Sequence, residues 1–339
     1  MATSMIKVAK AISSNPGTTK KIVLTRLIPT AIEALTKNNC DVVYYDSTDE
    51  KIPYDVLEAI VGPDVDGIFC LLTDTIDENI INKSGDNLKV ISTLSVGFDH
   101  LDIATCTKKN IRVGNTPRVL DVATAEIAFS LMFNVKRKIV EAKKQVHNGG
   151  WGTWSPFEYC GSEISNSVVG IVGLGNIGLT FGKMLSGFNC EIVYTGPREK
   201  KDIGDQINAK YVSFEELCKT SDIISVHCPL TEETKNLFNK DAFDLMKESA
   251  VLINTSRGPV VNQEDLYEAL SKNIIFGAGL DVTTPEPIPT DHPLLTLDNC
   301  IILPHIGSAT WKTRHKMVDM TVENILLGVA NETLAYSVN

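Results

Sequence analysis

Val168-Val-Gly-Ile-Val-Gly-Leu-Gly-Asn-Ile-Gly178 is the stretch that decides the fold. A β-branched apolar run leads into glycines at 173, 175 and 178, and a helix-like segment, Leu179–Leu185, follows. Strand, glycine turn and helix in that order bring a dinucleotide pyrophosphate against the open N–H groups of a helix start. Gly173 would permit the tight turn, Gly175 would keep a side chain out of the path of the pyrophosphate, and Gly178 would let helix and strand pack closely. Leu174, Asn176 and Ile177 complete the expected cofactor loop. A structural glycine turn in another α/β protein is the alternative reading.

Outward from this motif, short apolar runs bounded by Gly and Pro predict buried parallel strands near 168–173, 190–195, 222–227, 250–255, 276–282 and 300–304. Upstream, a second series begins at Lys21-Ile-Val-Leu and continues through Asp41-Val-Val-Tyr, Gly67-Ile-Phe-Cys, Lys89-Val-Ile-Ser and Ile111-Arg-Val-Gly, with helical stretches between. This rhythm predicts an α/β protein of two doubly wound parallel-sheet domains, Rossmann- or flavodoxin-like, with a cleft between them. One long helix is expected from about Ala123 to Val146, then a Trp- and Gly-rich excursion over 149–165. The segment Thr310–Val329 has helical spacing and is expected to return to the first domain. The predicted division is therefore a discontinuous substrate domain, 21–117 plus 310–339, and a dinucleotide domain, 118–309, with a dimerisation loop near 123–165. Residues 1–20 are expected to be a flexible tail; a mitochondrial targeting segment is the weaker alternative, because no Arg precedes Arg26.

The totals suit this reading. A chain of 339 residues is long enough for two domains, and its net charge of −10 disfavours nonspecific binding to nucleic acid or anionic membrane. No apolar run approaches the ~18 residues of a membrane span. The eight cysteines include no CxxC pair, so they predict no zinc site and read as buried, reduced thiols of a cytoplasmic-type enzyme. No metal site is expected.

The tip of the second strand of the dinucleotide unit bears on NAD against NADP. An acid ~20 residues after the glycines would hold the ribose hydroxyls of NAD. Here the strand ends at Thr195-Gly-Pro-Arg-Glu-Lys-Lys, with Arg198, Lys200 and Lys201 following. A carboxylate would repel a 2′-phosphate, whereas a guanidinium can grip it with two hydrogen bonds. Thr195, Pro197 and Arg198 are thus expected to border the cofactor, with NADPH preferred and NADH less so. A solvated charged loop is the alternative.

Three chemistry-bearing residues follow strand-like runs of the same series: Arg257 after Val251-Leu-Ile-Asn, Glu286 after Ala278-Gly-Leu-Asp-Val, and His305 after Ile301-Ile-Leu-Pro. Ligands of open α/β sheets bind outside the carboxyl ends of the strands. His305 can act as a general acid, Glu286 can favour and orient its imidazolium, and Arg257 can clamp a carboxylate or polarise a keto oxygen. Each taken singly also has a structural reading: a packed histidine, a turn glutamate between prolines, an arginine entering a helix. His292 and His100 read as structural, and so does His227, although its place at a strand end would let it line the cofactor cleft.

Taken together, Ser95-Val-Gly-Phe-Asp-His, Asn115-Thr-Pro, the glycine motif, His227-Cys-Pro-Leu-Thr, Asn254-Thr-Ser-Arg-Gly, Gly279-Leu-Asp-Val, Pro285-Glu-Pro and Leu303-Pro-His-Ile-Gly-Ser-Ala-Thr resemble the D-2-hydroxyacid dehydrogenase family. They occur in the family's order from about residue 21 onward. Asp281-Val-Thr-Thr-Pro-Glu-Pro-Ile-Pro-Thr-Asp-His-Pro-Leu-Leu and the Asn148-Gly-Gly-Trp loop are most similar to its glyoxylate/hydroxypyruvate reductase group. The resemblance implies Arg257 for substrate binding, Glu286 and His305 as the proton-donating pair, and the N–H groups of Val96 and Gly97 as the carboxylate site. It implies Asp281 near nicotinamide and substrate, Ile306, Gly307 and Ser308 lining the same site, and Pro229 and Thr255 beside the cofactor. It further implies a homodimer in which Trp154 reaches the partner's active site; a tryptophan that only anchors the interface is the alternative.

The expected activity is therefore reduction of the small 2-keto acids hydroxypyruvate and glyoxylate to D-glycerate and glycolate. A D-3-phosphoglycerate dehydrogenase is the nearest enzymatic alternative; the sequence ends 34 residues past His305, which disfavours its long forms. A dinucleotide-sensing corepressor-like protein is the non-enzymatic alternative.

Overall fold

The computed structural model describes residues 7–14 and 19–339. The chain divides into two compact units, one running up to Val119 and resuming over Thr310–Asn339, the other spanning Leu120–Ala309. The first holds strands β1 (Val8–Ala11), β2 (Lys20–Leu24), β3 (Cys40–Tyr45), β4 (Gly67–Cys70), β5 (Val90–Thr93) and β6 (Arg112–Gly114). Their order is β1-β3-β2-β4-β5-β6, parallel throughout except for β1 on β3. The helix Trp311–Val329 closes this unit: its Val318, Val322 and Ile325 pack with Ile22, Leu24, Phe69 and Val90 in one buried cluster. Each fully buried Ile, Leu or Val in such a layer contributes about 1.5–3 kcal/mol.

The second unit holds β7 (Val168–Val172), β8 (Glu191–Thr195), β9 (Lys210–Tyr211), β10 (Ile223–Val226), β11 (Val251–Asn254), β12 (Gly277–Leu280) and β13 (Cys300–Ile302). The order β13-β12-β11-β10-β7-β8-β9 is wholly parallel. The chain moves from β7 to β8 on one side and places β10 on the other, so strand order reverses beside β7. That is the switch point at which α/β sheets bind ligands, and the glycine motif occupies its carboxyl end. Parallel strands also bring the segments after β11, β12 and β13 to the same edge of the sheet.

Three expectations are corrected. Part of the expected tail is the strand β1, with Val8 opposite Tyr45 and Ala11 opposite Val42. The Asp41 carboxylate accepts from Ser13 N at 2.9 Å and Thr19 Oγ1 at 2.6 Å, which ties a residue just after β1 and the residue before β2 to β3. Residues 1–6 and 15–18 of that expectation lie outside the described residues. The single long helix is two, Asp121–Lys136 and Ile139–His147. Lys138 has φ of 51°, which no helix continues through. Lys136, 2% exposed, donates from its ammonium to the Ser249 carbonyl at 3.2 Å. Burial pushes that ammonium's pKa down. The thiols are also less uniformly buried than expected: Cys160 is exposed, and Cys190 and Cys300 are half-buried. Among the described residues no helix is long and apolar enough to cross a membrane, and no His, Cys, Asp and Glu cluster could hold a metal ion.

Candidate active site

The glycine turn shows its reasons in its contacts. Gly173 has φ of 94°, and a Cβ there would lie 2.6 Å from Cys228 N, so only glycine fits beside the end of β10. A Cβ on Gly178 would come within 2.6 Å of the Gly173 carbonyl. A Cβ on Gly175 would meet nothing within 4 Å, so open space stands before the N-terminus of the nine-residue helix Asn176–Met184. The first turn of such a helix has N–H groups without intrahelical acceptors. Two orphaned buried atoms, Thr255 Oγ1 after β11 and His227 Nδ1 after β10, lie along the same strand ends. A cradle without side chains, donors at its rim and unsatisfied polar atoms beside it fit a dinucleotide.

After β8, Thr195 is buried, and Pro197 and Arg198 are exposed. The basic residues here have different fates. Lys200 Nζ donates to the Leu174 carbonyl at 3.0 Å, and its N–H donates to Tyr194 Oη at 3.0 Å, which ties this loop to the glycine loop. Lys201 pairs with Asp205 at 3.1 Å. Arg198 makes no hydrogen bond or ion pair with the described residues. Pro229 is exposed, and its carbonyl accepts from Thr234 Oγ1 at 2.7 Å.

The proposed acid pair is in contact. His305 Nδ1 and Glu286 Oε2 are 2.9 Å apart, with the two side chains 26% and 29% exposed. The other carboxylate oxygen accepts from Thr283 N at 3.0 Å. Burial alone would raise the Glu286 pKa. The His305 hydrogen bond and charge, the Thr283 N–H and the Arg257 charge outweigh it and hold the carboxyl below its ordinary range. With Nδ1–H committed to Glu286, Nε2 is the nitrogen left to serve a substrate.

The backbone around the pair is fixed by polar side chains. His305 has φ of 54°, and the following N–H groups of Ile306 and Gly307 donate to the two Asp281 oxygens at 2.8 and 2.7 Å. Asp281 is 1% exposed, and burial raises its pKa despite those two donors. Ser308 is half-buried on the same turn. Arg257 follows β11 in a turn shaped by Asn254, whose Oδ1 accepts from Ser256 N at 3.0 Å and whose Nδ2 donates to the Arg257 carbonyl at 2.9 Å. At Gly258 a Cβ would lie 1.9 Å from the Thr283 carbonyl, so the Arg257 turn rests on the Glu286 loop.

Sequence reading missed Gln263. Its amide donates to the Thr284 carbonyl and accepts from Thr284 N, both at 2.6 Å, clamping the loop that carries Glu286. Its place just after Asn262, a helix cap, gives no signal of that reach across 21 positions. Asn254 did leave a signal, a polar residue fully buried at the end of an apolar strand. In the first unit, Val96 and Gly97 are half-buried in the turn after β5. Trp154 is 79% exposed, with Trp151 at 65% and Phe157 at 85%.

Known proteins share the sequence and the fold of this chain. The family described as D-isomer specific 2-hydroxyacid dehydrogenase, NAD binding domain, matches residues 129–307. The chain is 48% identical over 317 residues to the glyoxylate reductase/hydroxypyruvate reductase of Homo sapiens, covering 93% of this chain and 96% of that protein. It is 42% identical over 314 residues to the glyoxylate reductase of Thermofilum pendens, covering 92% of each. Among solved structures, the TT0316 protein of Thermus thermophilus superposes with a TM-score of 0.86 at 36% identity, covering 94% of this chain and 100% of that one. The NADPH-dependent glyoxylate/hydroxypyruvate reductase of Sinorhizobium meliloti, solved with NADP and malonate, gives 0.82 at 27% identity, covering 95% and 97%. The chain belongs to the D-isomer specific 2-hydroxyacid dehydrogenase family and is an NAD(P)-dependent dehydrogenase.

Proposed function

We propose that this enzyme reduces hydroxypyruvate and glyoxylate to D-glycerate and glycolate, with NADPH preferred over NADH. The observation that carries the reading is the 2.9 Å contact of His305 Nδ1 with Glu286 Oε2 on the sheet edge that also bears Arg257. The dinucleotide, when bound, supplies a hydride to the carbonyl carbon. His305 gives its Nε2 proton to the carbonyl oxygen as charge develops there, and Glu286 stabilises the imidazolium before transfer. Arg257 binds and polarises the keto acid, and the Val96 and Gly97 N–H groups take its carboxylate. Asp281 holds the Ile306–Gly307 turn beside the histidine, with Ser308 lining that turn.

The cofactor would be held by Gly173–Gly178, Thr195, Pro197, Pro229 and Thr255, with Asp281 and Gly307 at its nicotinamide end. The absence of an acid at Thr195 and the unengaged guanidinium of Arg198 support NADPH. Named relatives that act on glyoxylate and hydroxypyruvate support the substrates. We further propose a homodimer formed through the exposed aromatics of the 149–165 loop, with Trp154 reaching the partner's site, and a cytoplasmic location, which its eight free thiols favour.

A panel of 2-keto acids assayed with NADPH and NADH tests this reading. Hydroxypyruvate and glyoxylate should head the panel, and His305→Ala should lower kcat/KM at least about 10²-fold. Wild-type kcat/KM in that variant, or a preference for an unrelated keto acid, would remove the assignment.

A further inference from the structure

We propose that Asn115 and the relay His100–Thr93–Ser95 are positioning residues for the turn that presents the N–H groups of Val96 and Gly97: Asn115 fixes and polarises the Gly97 N–H, and the relay holds the Gly97 carbonyl and so the course of the turn. The proposal rests on the reading above that these two groups receive the substrate carboxylate. In a trans peptide the N–H points opposite to the carbonyl of the same unit. The Ser95 carbonyl, which shares its peptide with Val96 N–H, accepts from Thr116 N at 2.9 Å. The Val96 carbonyl, which shares its peptide with Gly97 N–H, accepts from Asn115 Nδ2 at 2.8 Å. Both proposed carboxylate donors are thus held from behind by a donor on their own peptide. A hydrogen bond to the carbonyl also makes the N–H opposite a stronger donor.

The next carbonyl is held by a relay whose direction can be read from its inventory of protons. Ser95 Oγ donates to the Gly97 carbonyl at 2.6 Å, which uses its only hydrogen. The 2.8 Å contact between Thr93 Oγ1 and Ser95 Oγ therefore takes its proton from Thr93. Thr93 must then accept at its 2.9 Å contact with His100 Nε2, so that nitrogen carries a hydrogen. Protons point one way, from imidazole through two hydroxyls to the turn. Thr93 and Ser95 are 0% and 4% exposed, so water cannot replace these bonds cheaply.

The Asn115 backbone has its own support. Asn324, fully buried in the helix Trp311–Val329, donates from Nδ2 to the Asn115 carbonyl at 3.2 Å and accepts from Tyr336 N at 3.1 Å. A Cβ on Gly114 would sit 2.5 Å from that Nδ2, so the glycine before Asn115 makes room for it. Neither Asn115 nor His100 needs to touch substrate in this scheme.

The test compares hydroxypyruvate with hydroxyacetone, which has the carbonyl but no carboxylate. Asn115→Ala should raise KM for hydroxypyruvate about tenfold, with kcat, KM for NADPH and kcat/KM for hydroxyacetone within about twofold; ten in binding is about 1.4 kcal/mol. His100→Leu should raise the same KM about threefold, and His100→Gln, which keeps an N–H donor, should restore it. Equal losses on both carbonyl compounds, or an unchanged hydroxypyruvate KM in both Asn115→Ala and His100→Leu, would overturn the proposal. Calorimetric titration of oxamate into the NADP-loaded protein separates this from the substrate reading. If wild type binds oxamate but turns over no keto acid, the substrate reading fails alone. The network then stands on about tenfold weaker oxamate binding in Asn115→Ala, and falls if the Kd is the same.

Discussion

Arg198 and His227 show how far single residues can be read. The loop of Arg198 was legible as a place without an acid, but its division of labour was not. Lys200 and Lys201 look equivalent in sequence; one anchors the glycine loop and the other pairs within its own turn. Of the three, Arg198 is the one that pairs with none of the described residues, which makes it the candidate for the proposed 2′-phosphate contact. Arg198→Ala should reduce the NADPH:NADH ratio of kcat/KM about tenfold or more, and steady-state kinetics with both cofactors would show an unchanged ratio if the residue has no such part. His227 was readable only as a strand-end histidine. Its ring packs 5.3 Å from Phe181 and bonds Ser225 Oγ at 2.8 Å, and burial lowers its pKa to about 3. The unfolded chain takes up this proton near the ordinary histidine value, while the folded chain does so only near 3. Between those limits the unfolded state binds more protons, so stability falls as pH drops, by up to roughly 1.4 kcal/mol per pH unit. His227→Asn should flatten the decline of Tm between pH 6.5 and 4; a decline as steep as wild type would place the acid sensitivity elsewhere.

At the level of elements, central buried strands announced themselves, and two edge strands of mixed polarity did not. The runs at β4, β7, β10 and β11 are apolar and fully buried or nearly so, which is what a central parallel strand requires. β1 and β9 are edge strands of four and two residues, mixed in polarity, whose partners rather than their composition make them strands. The split helix was hidden for a similar reason. Lys136 at the end of Asp121–Lys136 is a good helix former, and the stop is imposed from outside: Ser162 N donates to the Lys136 carbonyl at 3.0 Å, where the returning loop docks. A Cβ on Gly161 would lie 2.0 Å from that carbonyl. Gly161→Ala should therefore cost about 2 kcal/mol or more, seen as a lower Tm. If the loop carries the dimer contact, the same variant should shift sedimentation toward monomer at low concentration; unaltered Tm and association would show that the loop's attachment does not matter.

At the scale of the whole molecule, the glycine motif and the three residues after β11, β12 and β13 were legible because order along a parallel sheet converts directly into place along its edge. The side-chain clamps were not legible: Gln263 on Thr284, Asp281 on two N–H groups, and Asn324 on Asn115 join positions far apart in sequence with no local pattern. Connectivity gives a further expectation. The Leu120–Ala309 unit is one uninterrupted segment with its own buried clusters, so expressed alone it should fold cooperatively and bind NADPH with little reducing activity. Fluorescence titration would show this, and an unfolded fragment would contradict it. The first unit has no such independence, because Ile22, Leu24 and Val90 are covered by a helix that the ribosome synthesises well over two hundred residues later. During translation the nascent amino-terminal sheet must wait, one face wet and apolar, while the entire middle segment emerges and folds. Cellular yield should accordingly depend on chaperone supply at that stage more than on the final stability of the mature enzyme.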